Sequence, residues 1–191
     1  MKIVVINGMP RSGKDTFIKA VSSLDTPRCY ATSTIDEVKN IAYDCGWDGK
    51  KTPKARKFLS DLKSLLTIFN DYPLQSCVDY INHILFYLDG ADIPTKNVIF
   101  FISCREPKEI DRIKYLFGAK TLVVRRPEVE QTKYLTNSDN DALEYEYDYE
   151  IFNSGTIEEF YAAAQYLVEE IAKENWDSNT VEFKIWDRDK Y

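Results

Sequence analysis

Short apolar runs alternate with longer stretches whose apolar residues recur every three or four positions. That alternation predicts buried strands linked by amphipathic helices, an α/β chain whose parallel sheet is covered on both faces. The strand candidates are Ile3–Ile6, Arg28–Ala31, Val98–Ile102, Thr121–Val124 and Tyr149–Phe152. Helix boundaries follow from capping chemistry. Thr34 and Glu37 have capping-box spacing ahead of a helix that stops at Cys45-Gly46. Thr52-Pro53 opens the next, which runs to about Asn70, because threonine caps well and proline suits the first helical position. Pro73 starts a helix ending at Asp89-Gly90, and Glu106-Pro107 starts one closed by Gly118. Thr156 and Glu159 form a second capping box, leading a helix with Phe160, Ala164, Leu167, Val168 and Ile171 on one face. After Asn175, alternating Val181, Phe183 and Ile185 predict an added edge strand.

The turn after the first strand carries the most chemistry. Gly8-Met9-Pro10-Arg11-Ser12-Gly13-Lys14-Asp15-Thr16 is G-x-x-x-x-G-K between a strand and a helix, the context in which such a match reads as a phosphate-binding loop. Main-chain amides at a helix N-terminus, aided by its dipole, suit a dense anion. Gly8 and Gly13 permit the close turn, Arg11 and Ser12 lie within it, and Lys14 reaches phosphate as a point charge. Asp15 stands where such loops usually place Ser or Thr on Mg²⁺. Its carboxylate suits a metal that prefers oxygen ligands, and Thr16 offers a hydroxyl one position later. An N-terminal helix acid stabilised by the dipole is the other reading of Asp15.

A parallel sheet collects ligands at the carboxyl ends of its strands, which points to four further groups. The basic run from Gly49 to Lys57 contains Lys54 and Arg56, candidates for a second anionic substrate. Ser103-Cys104-Arg105-Glu106 ends the third strand, with Arg105 as a phosphate clamp and Glu106 as a metal or water ligand, or alternatively a helix cap. Arg125 and Arg126 follow the fourth strand, where arginines on a movable segment neutralise a transferring phosphoryl group. From there to Tyr149 the chain is polar and aperiodic, Lys133 included, as a closing lid or a surface loop would be. Residues Asp148 to Thr156, with Asn153 and Gly155, join a strand to a capped helix and suit a base pocket.

The 191 residues suit one domain. A net charge of −6 argues against a nucleic-acid partner. No apolar run is long enough to span a membrane, and the four-residue N-terminal run is too short for a signal peptide. Cys29, Cys45, Cys77 and Cys104 are scattered without a C-x-x-C pair, which favours reduced thiols and a cytoplasmic location. His83, the one histidine, sits in an apolar stretch and reads as a packed helix residue rather than a catalyst.

With G-x-x-x-S-G-K-D-T at Gly8–Thr16, Asp148-x-x-Ile151-x-Asn153-x-Gly155-Thr156, and Arg125-Arg126 between them, the chain resembles the P-loop nucleoside monophosphate kinase-like family. The loop is most similar to those of phage-type deoxynucleoside monophosphate kinases and animal-type phosphomevalonate kinases. The resemblance covers the chain to about Lys173. It implies a three-layer P-loop NTPase fold, five parallel strands in the order 2-3-1-4-5, and a single kinase domain over 1–191. Within it, about 34–90 would bind the acceptor and about 125–147 would form the lid. It implies ATP and Mg²⁺ as cofactors, a small phosphorylated acceptor such as a (deoxy)nucleoside monophosphate, and a monomer or homodimer. Lys14, Arg105, Arg125 and Arg126 would be the catalytic residues. The loop from Gly8 to Thr16, with Asn153 and Gly155, would bind ATP, while Arg56, Lys54 and Arg105 would bind acceptor and Asp15 and Glu106 would hold metal. Those kinases often carry Asp-x-Arg where this chain has Ser103-Cys104-Arg105. A kinase of another phosphorylated metabolite and a non-catalytic nucleotide-binding module therefore stand as alternatives.

Overall fold

The computed structural model describes residues 1–130 and 144–178. The middle of the expected lid, with Lys133, and the expected edge strand of Val181, Phe183 and Ile185 lie outside the described residues. Along the chain run β1 (Lys2–Asn7), α1 (Lys14–Val21), β2 (Arg28–Ser33), α2 (Asp36–Asp44), α3 (Pro53–Asn70) and α4 (Tyr72–Gly90). After a short 3₁₀ turn come β3 (Val98–Ser103), α5 (Pro107–Phe117), β4 (Lys120–Arg125), α6 (Pro127–Glu130), β5 (Tyr149–Phe152) and α7 (Ile157–Lys173). The strands form one parallel sheet in the order β2-β3-β1-β4-β5, as expected.

The chain divides into two compact units, one of Met1–Ala31 with the chain from Ile93 on, the other Thr32–Asp92. In the first, β1 lies between β3 and β4, so all six of its residues are buried. Strand side chains alternate between faces. Val4, Ile6, Ile99, Phe101, Leu122 and Val124 pack with Phe17, Ala20 and Val21 of α1 and Phe160, Ala164, Val168 and Ile171 of α7. Phe17 meets Phe101 edge to face at 5.5 Å between ring centroids, a favourable geometry for paired rings. Over the other face, α5 packs on β1 and β4 and buries Ile110, Ile113 and Phe117.

Polar locks hold the amino-terminal ends of β4 and β5. Asp148, just before β5, accepts from the Thr121 amide and hydroxyl, both at 2.8 Å, and donates its own amide to the same hydroxyl at 2.9 Å. At the start of β4, Lys120 bonds Glu174 at 2.5 Å and the Tyr149 hydroxyl at 3.0 Å. Desolvation opposes the Lys120 charge, but the bonds to Glu174 and Tyr149 outweigh it and raise its pKa.

In the second unit, α4 buries Leu74, Cys77, Val78, Ile81 and Leu88, whereas α3 has no fully buried residue. The Thr52 hydroxyl caps α3 by accepting from the Ala55 amide at 3.2 Å. The Thr34–Glu37 capping box does not form. Thr34 is buried, the cap position falls on Ile35, and the Ile35 amide donates to Ser33 Oγ while Glu37 accepts from Asn40. His83 is exposed on α4 rather than packed, because the apolar face of that helix turns its other side to the interior.

The box expected at α7 does form: Thr156 Oγ1 accepts from the Glu159 amide at 3.2 Å and the Glu159 carboxylate accepts from the Thr156 amide at 2.8 Å. Thr156→Ala is expected to lower unfolding free energy by about 1 kcal/mol, read as a shift in the urea midpoint at unchanged slope.

Candidate active site

Parallel pairing brings strand ends together. Ile6 is level with Ser103, Asn7 with Val123, and Arg125 with Phe152. The turn after β1, the Ser103–Glu106 segment, Arg125-Arg126 and Asn153 therefore share the carboxyl edge of the sheet, where such folds bind ligands.

The turn from Gly8 to Gly13 is shaped by close approach. At Gly8, with φ +144°, an added Cβ would lie 2.5 Å from the Val124 carbonyl oxygen and 2.7 Å from Ser12 Oγ. At Gly13, with φ +107°, it would run into the side-chain amide of Asn153. Neither position tolerates a side chain. Asn153 Nδ2 donates to the Ser12 carbonyl at 2.9 Å, and its main-chain amide donates to the Arg125 carbonyl at 2.8 Å. The strand ends of β4 and β5 thus brace the turn from outside. Lys14 opens α1 and donates to the carbonyls of Gly8 at 2.5 Å and Met9 at 3.2 Å. Ser12 is buried, yet its Oγ has no hydrogen-bond partner among the described residues. A buried hydroxyl without a partner is costly and points to a ligand atom. Arg11 is exposed with φ +67°, Asp15 is exposed on the first turn of α1, and Thr16 is half-buried.

The arginines differ in setting. Arg125 is half-buried and donates from Nε to Glu150 at 2.5 Å. Arg126 donates from Nε to Glu128 at 2.9 Å. Arg105 is exposed, and its carbonyl accepts from Asn7 Nδ2 at 3.4 Å. Glu106 occupies the cap position of α5 but makes no side-chain capping bond. Its carboxylate instead lies with Cys104 and Glu109, the three ligand atoms all within 4.8 Å of one another. The Cys104 thiol donates to Glu109 at 2.9 Å. Asp15 is not among the metal-capable groups found in the described residues. Gly155 is exposed, with the Glu159 carboxylate folded against it as part of the α7 cap. Asp148 is at the far end of β5, bonded to Thr121, away from Asn153. Lys54 and Arg56 are exposed on the first turn of α3, in the second compact unit.

Two residues that sequence patterns do not single out stand at the centre. Asn7 is fully buried, its Oδ1 accepting from the Gly8 amide at 2.7 Å and its Nδ2 donating to the Tyr147 hydroxyl at 2.8 Å. A polar residue closing an otherwise apolar strand was the one available signal. Nothing local marks Tyr147. Burial pushes the Tyr147 hydroxyl up to about 12, with the bond from Asn7 pulling the other way. Burial likewise pushes the Cys29 thiol up to about 12.

No family model and no curated protein matches the chain. Among solved structures it is similar to shikimate kinase from Aquifex aeolicus, with 14% identity, covering 89% of this chain and 98% of that one at a TM-score of 0.49. It is also similar to dephospho-CoA kinase from Campylobacter jejuni (17% identity, 91% and 98% covered, TM-score 0.48). For thymidylate kinase from Candida albicans the values are 12% identity, 93% and 96% covered, and a TM-score of 0.46. Likeness at this level assigns no chemistry, which rests on this chain's own residues.

Asn153→Ala removes the donor to the Ser12 carbonyl and is expected to cost about 1–3 kcal/mol, measurable by urea denaturation. The raised pKa values of Tyr147 and Cys29 favour the protonated forms in the folded state. Their stabilisation is therefore complete below the unfolded pKa values, 10.0 and 9.0, and is lost as pH climbs towards about 12. Unfolding free energy should be level from neutrality to about pH 8.5 and fall above it, and Cys29→Ala should remove the earlier part of that fall.

Proposed function

We propose that this chain is an ATP-dependent phosphotransferase that moves the γ-phosphoryl group onto a small phosphorylated acceptor, a (deoxy)nucleoside monophosphate. The observation that carries the reading is the turn from Gly8 to Thr16. It joins a buried strand to a helix N-terminus, excludes side chains at both glycines, holds the Lys14 ammonium on its own carbonyls, and contains a buried Ser12 hydroxyl with no hydrogen-bond partner among the described residues. Those features fit a polyphosphate: anion-binding amides, a positive charge and an oxygen-seeking hydroxyl converge on one cradle.

In this reading Lys14 exchanges the carbonyls of Gly8 and Met9 for β- and γ-phosphate oxygens, and Ser12 Oγ donates to the phosphate chain. Arg11, Asn153 and Gly155 flank the nucleotide. Asp15, Thr16 and Glu106 offer the hard oxygen donors that Mg²⁺ takes, and the ion would supply charge neutralisation between the β- and γ-phosphates. Arg105 orients the acceptor phosphate, and Lys54 and Arg56, on the other compact unit, are candidates for an anionic substrate. Arg125 and Arg126 leave Glu150 and Glu128 to pair with the transferring group, an exchange that ties their action to the arrival of phosphate. The attacking oxygen belongs to an already ionised phosphate, so positioning and charge stabilisation suffice without a general base.

One observation favours a non-catalytic nucleotide-binding module instead: Ser103 closes β3 without a carboxylate, while Arg125 is already neutralised by Glu150. ATP with Mg²⁺ and a panel of nucleoside monophosphates and other phosphorylated metabolites separates the readings. ADP release with one monophosphate supports the proposal, release with a non-nucleotide acceptor redirects it, and ATP binding without turnover selects the module. Lys14→Ala is expected to lower kcat at least about a hundredfold with an unchanged melting temperature; near-normal turnover would refute the assignment.

A further inference from the structure

The Asn7 side chain is fully buried, and every polar group it carries is engaged. Its orientation is settled by its neighbours. The Gly8 amide can only donate, so the atom 2.7 Å away is Oδ1. The Arg105 carbonyl can only accept, so the atom 3.4 Å away is Nδ2. Both demands give the same orientation. The second Nδ2 hydrogen then goes to the Tyr147 hydroxyl at 2.8 Å, which acts as acceptor and keeps its own proton. One short side chain thereby joins the first amide of the phosphate turn, the main chain leaving β3, and the segment entering β5.

That last segment is itself pinned on both sides of Tyr147. The Tyr145 hydroxyl donates to Asp111 of α5 at 2.5 Å, and its ring lies 5.0 Å from that of Tyr147. Asp148 is locked to Thr121 as described above. Tyr147 is therefore held on a braced stretch and can position what it touches. Serine, the nearest small polar alternative at position 7, could reach the Gly8 amide but not two acceptors as well.

We infer that Asn7 and Tyr147 are a positioning pair, which orients the Gly8 end of the phosphate turn by fastening it to the chain ahead of β5. The inference rests on the reading of that turn as a polyphosphate site, but it has a structural consequence of its own. The bonds of both residues run to the protein itself. Each acts through the main chain of Gly8, whose carbonyl also holds Lys14. Loosening this anchor shifts both the amide and the ammonium partner at once.

The experiment is a double-mutant cycle on the full chain with Asn7→Ala, Tyr147→Phe and the pair, read in three ways. Affinity for inorganic triphosphate is measured by calorimetry, hydrogen exchange of the Gly8 amide by NMR, and stability by urea denaturation. Tyr147→Phe alone is expected to weaken triphosphate binding about tenfold and speed Gly8 exchange, and to add nothing further in the Asn7→Ala background. Asn7→Ser, which keeps an acceptor for Gly8 but has no donor for Tyr147, should exchange Gly8 about as fast as Tyr147→Phe does, and Tyr147→Phe should add nothing in that background. Independent, additive effects of the two substitutions on Gly8 exchange overturn the pairing, as does a loss of stability that leaves exchange and affinity unmoved. A wild-type chain that binds no triphosphate yet shows coupled Gly8 exchange retires the phosphate reading while the pair stands.

Discussion

The approach of Gly8 to the end of β4 governs this edge of the molecule. With no side chain at that position, the β1 backbone turns beneath the Val124 carbonyl and brings Ser12 Oγ against the same spot. Any Cβ there would push β1 and β4 apart at their carboxyl ends or force the turn outward. The sheet, the turn and the start of α1 are therefore one rigid construction. Its rigidity follows from burial: β1 is covered on both faces and hydrogen-bonded on both sides. Amides held in this way would meet an anion without rearrangement, whereas the Lys14 ammonium would first have to leave the carbonyls of Gly8 and Met9.

Around that construction, charge is arranged in ready-made pairs. Lys14 rests on carbonyls, Arg125 on Glu150 and Arg126 on Glu128. Two of these are partly exposed ion pairs of modest net strength, so under the proposed function an incoming phosphate, a denser anion with geometry suited to guanidinium, would compete well for the same cations. The acidic partners keep the edge from becoming a general basic patch, in keeping with a net charge of −6. At the end of β3 the buried Cys104 thiol lies beside a half-buried Glu109 and an exposed Glu106.

The two compact units differ in how they are held. The unit built on the sheet has a continuous apolar core and polar locks at the amino-terminal ends of β4 and β5. The unit from Thr32 to Asp92 relies on α4 for burial, while α3 leaves Leu65, Ile68 and Phe69 exposed. Fewer buried apolar contacts mean a lower local opening energy. The candidate acceptor residues Lys54 and Arg56 lie on this less tightly packed unit.

Apolar alternation and cap residues were enough to place the strands within a residue or two, to start α3 at Thr52-Pro53, and to begin α7 at its capping box. They also single out Gly8–Thr16 as the candidate anion cradle, because steric freedom at glycine and helix-end amides are local properties. Identical spacing failed at Thr34–Glu37, since a string of letters does not say which threonine the interior will bury. The contacts that finish the site join positions far apart along the chain: Asn7 with Tyr147 across 140 residues, and Ser12 with Asn153 across 141. Side-chain periodicity reports only which face of an element is apolar. Which polar atoms meet at the sheet edge depends on strand order and register, and those emerge when distant segments pack against one another.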